Sequence, residues 1–132
     1  MPHIPEWSHA LSVRNARLDE QHIVLIELSK ELVALVRRGP PTDAPILDVL
    51  REFAAYARRH DELEESLLAA NACPTLEAHR AVHRAAEAEL DRWMEAAANQ
   101  TLDRKALVTC FDHWMEHHLT ETDMPVSGYM HD

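Results

Sequence analysis

The chain is poor in the residues that build sheets and disulfide scaffolds. It has only two glycines, and phenylalanine, tyrosine and tryptophan make up 5% of its 132 residues. Few aromatic and β-branched residues disfavour a sheet-rich fold. Two cysteines, Cys73 and Cys110, without C-x-x-C spacing cannot form a disulfide framework and read as unpaired thiols in a reducing compartment. No apolar run approaches the roughly 20 residues needed to span a bilayer, and the start, MPHIPEWSHAL, lacks the basic and apolar segments of a signal peptide. A cytoplasmic protein with no membrane insertion is expected. Basic residues are also scarce, 13 against 23 acidic, and the formal charge of -10 repels phosphate backbones. Nucleic acid is therefore not an expected partner. What the chain does have is histidine, ten residues against two phenylalanines.

The length suits one domain, 1–132. Apolar periodicity and its breaks predict four helices over about 18–38, 43–71, 76–99 and 102–122. Gly39-Pro40-Pro41 stops the first, Thr42 or Asp43 can cap the second, and Pro74 and Pro125 lie beyond the second and fourth. Residues 1–17 form an N-terminal arm anchored by Trp7, Leu11 and Val13. Short connections make successive helices antiparallel, so the expected fold is all-α, an up-down-up-down four-helix bundle.

Steps of three and four residues write out each helix's inward stripe. The first reads Leu18, His22, Leu25, Ser29, Leu32, Val36. The second reads Ile46, Leu50, Phe53, Ala57, His60, Glu64, Leu67. The third reads Leu76, His79, His83, Ala86, Leu90, Trp93, and the fourth Leu107, Phe111, Trp114, His118. Five histidines and a glutamate thus interrupt otherwise apolar stripes. In an antiparallel bundle the starts of helices one and three share an end with the finishes of two and four, so these groups converge at one level. Asp123, where the fourth helix runs out, can turn inward there. Burying an unpaired carboxylate or imidazolium costs several kcal/mol, and a whole domain is stable by only about 5–15 kcal/mol. Seven such groups need a shared cation.

Seven donors exceed one tetrahedral ion and suit a pair. If Glu64 and Asp123 both bridge two six-coordinate ions, they fill four positions, the imidazoles five, and one shared oxide or hydroxide two, leaving a single open site. Imidazole with carboxylate suits iron, copper or zinc. Iron is favoured because an open site on a redox pair has a use.

The chain resembles the hemerythrin family in its bacterial single-domain form. The resemblance rests on Trp7-Ser8 with Leu11-Ser12-Val13, Asp19-Glu20-Gln21-His22, His60 with Glu64-Glu65, His79 with His83, and Trp114 with His118 and Asp123. It implies a non-haem di-iron centre with an oxide or hydroxide bridge. His79, His83 and His118 would complete one iron, and His22 and His60 would serve the second, which keeps the vacancy. Glu64 and Asp123 would bridge them. Dioxygen would bind reversibly at the vacancy as a hydroperoxide, in a pocket walled by Trp114, Met115 and Leu119. Two positions depart from the family. Asp61 replaces a phenylalanine after the second-helix histidine, and either turns to solvent or brings polarity and water near the irons, favouring autoxidation. Arg14 stands where glycine is common.

Oxygen storage, delivery to an oxidase or buffering is therefore the expected role. A di-iron peroxidase or oxidase, with Asp61 assisting proton movement, is the alternative, and a redox, oxygen or nitric oxide sensor a third. His113 and His117 form a second His-x-x-x-His pair and are expected on a solvated face, as are Glu62 and Glu65. His3, His9 and His131 are expected at the surface.

Overall fold

The computed structural model describes residues 4–132, so His3 lies outside the described residues. Among the described residues there are four α-helices, α1 Ala16–Arg37, α2 Ala44–Ala70, α3 Leu76–Ala98 and α4 Arg104–His117, and no strand. Among the described residues no helix is long and apolar enough to cross a membrane. Helix α2 packs against α1 and α3, and α4 packs against α1, closing the bundle.

Local chemistry sets the helix ends. Asn15 Oδ1 accepts from the backbone N–H of Arg17 and of Leu18, both at 3.1 Å, so α1 starts two residues earlier than its apolar stripe suggests. Gly39 takes the left-handed conformation that ends α1, φ 66°. Asp43 stands at the α2 N-cap without capping it; its carboxylate instead accepts from Arg104 Nη2 at 2.8 Å, tying the starts of α2 and α4 together. Asp103 caps α4 through the Ala106 N–H at 3.0 Å.

The largest difference from the expected helices lies at the end of α4. The chain continues as a π-helical segment, His118–Asp123, and then a 3-10 segment, Met124–Tyr129. At 3.6 residues per turn an α-helix would leave Asp123 about 140° around the axis from His118. Winding with i→i+5 spacing brings the two onto one face, and both are buried.

The arm is pinned by Asp19. Its Oδ2 accepts from Ser12 Oγ at 2.5 Å and its Oδ1 from the Val13 N–H at 2.9 Å. This sharp entry puts Arg14 at φ 60°, in the left-handed region that glycine adopts without strain. That explains why glycine suits position 14.

The apolar interior has two parts. A large core is built on Leu25, Leu32, Ile46, Leu50, Phe53, Leu107, Phe111 and Met115. A smaller one gathers Val13, Leu18, Leu67, Leu68, Cys73 and Met130. Met130 reaches it because Asn15 Nδ2 donates to its carbonyl at 2.7 Å, and Asn71 Nδ2 donates to the carbonyl of His131 at 2.7 Å. The C-terminal segment thereby closes that end of the bundle. On α1, α2 and α3 the predicted donors fall between the residues of the two cores.

Candidate metal centre

His22, His60, Glu64, His79, His83, His118 and Asp123 are all buried and come together in one layer. Their metal-facing atoms form two overlapping groups. His22, His60 and His118 gather around Glu64 and Asp123, and His79 and His83 gather around the same two carboxylates. In the first group His60 Nε2 lies 2.7 Å from Glu64 Oε2, and His22 and His118 Nε2 lie 2.8 and 3.0 Å from Asp123 Oδ2. In the second, His83 and His79 Nε2 lie 2.9 and 3.1 Å from Glu64 Oε1, with His79 3.4 Å from Asp123 Oδ1. Each carboxylate thus turns one oxygen to each group, as a bridge would. The grouping of His118 differs from the division that the resemblance implied. Its place on the π-helical turn with Asp123 carries its ring toward Oδ2, on the side of His22 and His60.

The outer nitrogens decide what the inner ones can do. His60 Nδ1–H donates to Gln21 Oε1 at 2.8 Å, and His83 Nδ1–H donates to Glu65 Oε2 at 2.7 Å. A neutral imidazole that donates from Nδ1 carries a lone pair on Nε2. In the neutral rings that lone pair would face a carboxylate lone pair at 2.7 Å for His60 and 2.9 Å for His83, so a proton or a metal cation has to lie between them. His60 Nε2, Glu64 Oε2, His118 Nε2 and Asp123 Oδ1 are buried with no hydrogen-bond partner. The donor set therefore fits metal ions, with imidazole orientation fixed from behind as metal sites require.

The chain belongs to the hemerythrin HHE cation-binding domain family. The family model matches residues 14–126. No curated protein and no solved structure matches the chain at a significant level.

The electrostatics of this hemerythrin-type centre follow from its two carboxylates. Burial opposes charging His60 and His79, but Glu64 and Asp123 outweigh it and push both up to about 10. His22 and His83 are raised against the same burial by neighbouring carboxylates. Burial works to protonate Glu64 and Asp123, and the surrounding imidazoles hold both well below the usual carboxylate range. Protons thus occupy the positions that metal cations would compete for.

Asp61 turns inward. It is buried, its Oδ1 lies 3.5 Å from His83 Nε2, and burial pushes its carboxyl up to about 8, opposed by His83. Of the predicted pocket walls, Met115 and Leu119 are fully buried in the large core, and Trp114 stacks on the His118 ring at 4.9 Å.

Two supporting residues escaped the sequence reading. Glu65 was expected to solvate α2, but it accepts from His83 and from Arg84 Nη2 at 2.6 Å. Gln21 sits beside His22 in Asp19-Glu20-Gln21-His22, a stretch in which Asp19 holds the arm and His22 joins the centre. Its register, one residue off the inward stripe, was the available signal. His113 and His117 are exposed, as are His9 and His131, and His117 pairs with Glu121 on the surface.

Proposed function

We propose that this chain holds two iron ions through His22, His60, Glu64, His79, His83, His118 and Asp123, and that it binds dioxygen reversibly. The observation that carries the reading is the set of five buried imidazoles whose Nε2 atoms converge on two shared carboxylates in a layer sealed by apolar cores on both sides. Ferrous ions held there would lend electrons to dioxygen and recover them on its release. The residues supply the conditions. Gln21 and Glu65 hold two rings in the ligating tautomer, and Met115 and Leu119 add apolar bulk that excludes water. Storage, delivery to an oxidase or buffering would use such a site. Cys73 and Cys110 are unpaired, which suits the cytoplasm.

Peroxide turnover is the second reading, and Asp61 favours it. A buried carboxyl beside His83 replaces an apolar ring with a group able to move a proton. The test is to reduce the iron-loaded protein without oxygen, admit oxygen and follow the optical spectrum. A persistent oxygenated form that reverts under vacuum supports oxygen binding. Immediate one-way oxidation contradicts it and, with peroxide consumption, supports turnover.

A further inference from the structure

Arg14 departs from the family pattern at a position the metal centre does not use. Among the described residues three that are not glycine take left-handed backbone conformations, Arg14, Ala72 and Gln100. Ala72 and Gln100 each follow the C-cap of a helix, the ordinary place for that conformation. Arg14 instead precedes Asn15, the N-cap of α1, and at φ 60° it carries strain that glycine would relieve. A strained residue other than glycine points to a use for its side chain.

Arg14 lines a cavity of about 480 Å³ between the arm and the segment that follows Asp123. His9 and Ser12 line it from the arm, and Met124, Ser127 and Gly128 from the other wall. Among the described residues no acidic side chain lines it, in a chain whose formal charge is -10. Asp19 binds the Ser12 hydroxyl, but its other oxygen is taken by the Val13 N–H. Arg17 pairs with Asp132 at 2.7 Å, whereas among the described residues Arg14 has no carboxylate partner. Asn15 ties the start of α1 to the Met130 carbonyl, yet among the described residues no hydrogen bond crosses the cavity itself.

An anion would complete this gap. The guanidinium offers paired N–H donors that match phosphate oxygens. The His9 imidazole donates in its neutral and its charged form, and the Ser127 hydroxyl can donate from the facing wall. Donors on two walls suit a tetrahedral anion with acceptors on every side better than a flat carboxylate. The acidic remainder of the chain opposes binding only weakly, because salt at 0.1 M screens charges beyond about 10 Å.

We infer that Arg14, with His9 and Ser127, binds a phosphate group, as inorganic phosphate or a small phosphate monoester, and that this ligand ties the arm to the Met124–Tyr129 segment. The site is separate from the metal centre and does not depend on which ions the centre holds.

Isothermal titration calorimetry of the metal-loaded full-length chain, with inorganic phosphate and with glycerol phosphate at constant ionic strength, tests this. One ligand per chain should bind with a dissociation constant of about 1 mM or tighter. Arg14→Gln and Arg14→Gly should each bind at least about tenfold more weakly, even though Arg14→Gly relieves the strain. Arg17→Gln removes a positive charge outside the cavity and should bind as the wild type does. Circular dichroism and metal content check that each variant is folded and loaded. Tighter binding of the ester assigns the site to phosphate monoesters, and tighter binding of inorganic phosphate assigns it to the free anion; either supports the inference. Equal weakening in Arg14→Gln and Arg17→Gln would show a response to overall charge alone and would overturn it. Unchanged binding in both Arg14 variants would put the phosphate elsewhere, on the metal ions for example, and would also overturn it, as would a wild-type chain with no saturable binding.

Discussion

Metal uptake by this chain should be steeply coupled to proton release. With His60 and His79 pushed up to about 10, both rings carry a proton at neutral pH in the metal-free protein. A ring that ligates through Nε2 must give that proton up. Each released proton changes the binding constant tenfold per pH unit, about 1.4 kcal/mol. Two protons therefore give about a hundredfold per pH unit for the product of the two binding constants, roughly 2.7 kcal/mol. His22 and His83 are raised as well, so two is a floor. Chelator-competition titrations with ferrous ion and with zinc, between about pH 6.5 and 8, measure this slope once the chelator's own titration is subtracted. His60→Gln should lower it by about one decade per pH unit. A wild-type slope below one decade would refute the reasoning, because it would mean that the rings are already neutral or do not ligate.

Glu65→Ala should cost about 10- to 100-fold in affinity for one of the two ions, since it frees the His83 ring from its hydrogen bond; stepwise metal titration reads it, and an unchanged affinity contradicts the role. The metal-free protein should lose stability as pH rises from 6.5 toward about 10. His60 and His79 are raised above their unfolded value, so their contribution is complete below 6.5 and disappears as they deprotonate in the folded state. Urea midpoints across that window check the sign, and a rising midpoint would reverse it. Arg14→Gly should stabilise by up to about 1 kcal/mol, the relief of left-handed strain less the unfolded-state entropy that glycine adds. A lower urea midpoint would count against it.

The helices and their donors were legible because burial imposes a period. His22, His60, Glu64, His79, His83 and His118 interrupt apolar stripes at the spacing an α-helix demands, and the antiparallel order puts them at one level. Asp123 was legible only as a carboxylate near a helix end. Five residues after His118 it is out of phase with an α-helix, and no α-helical period announces the π-helical turn that brings it back. Glu65 was misjudged because a glutamate beside a buried position usually faces water; its partner His83 lies 18 residues along the chain, on another helix. For Asp61 the choice between solvent and interior depends on how α2 is rotated against α3, which tertiary packing decides. The seal formed by Met130 was hidden for a similar reason, since its anchor, Asn15, is 115 residues away.

The most direct test is an anomalous diffraction map at the iron edge from crystals of iron-loaded protein. The account predicts two peaks in the buried layer, one beside the Nε2 atoms of His22, His60 and His118, the other beside those of His79 and His83, with Glu64 and Asp123 between them. A single peak, or iron only at the exposed His113 and His117, would contradict it.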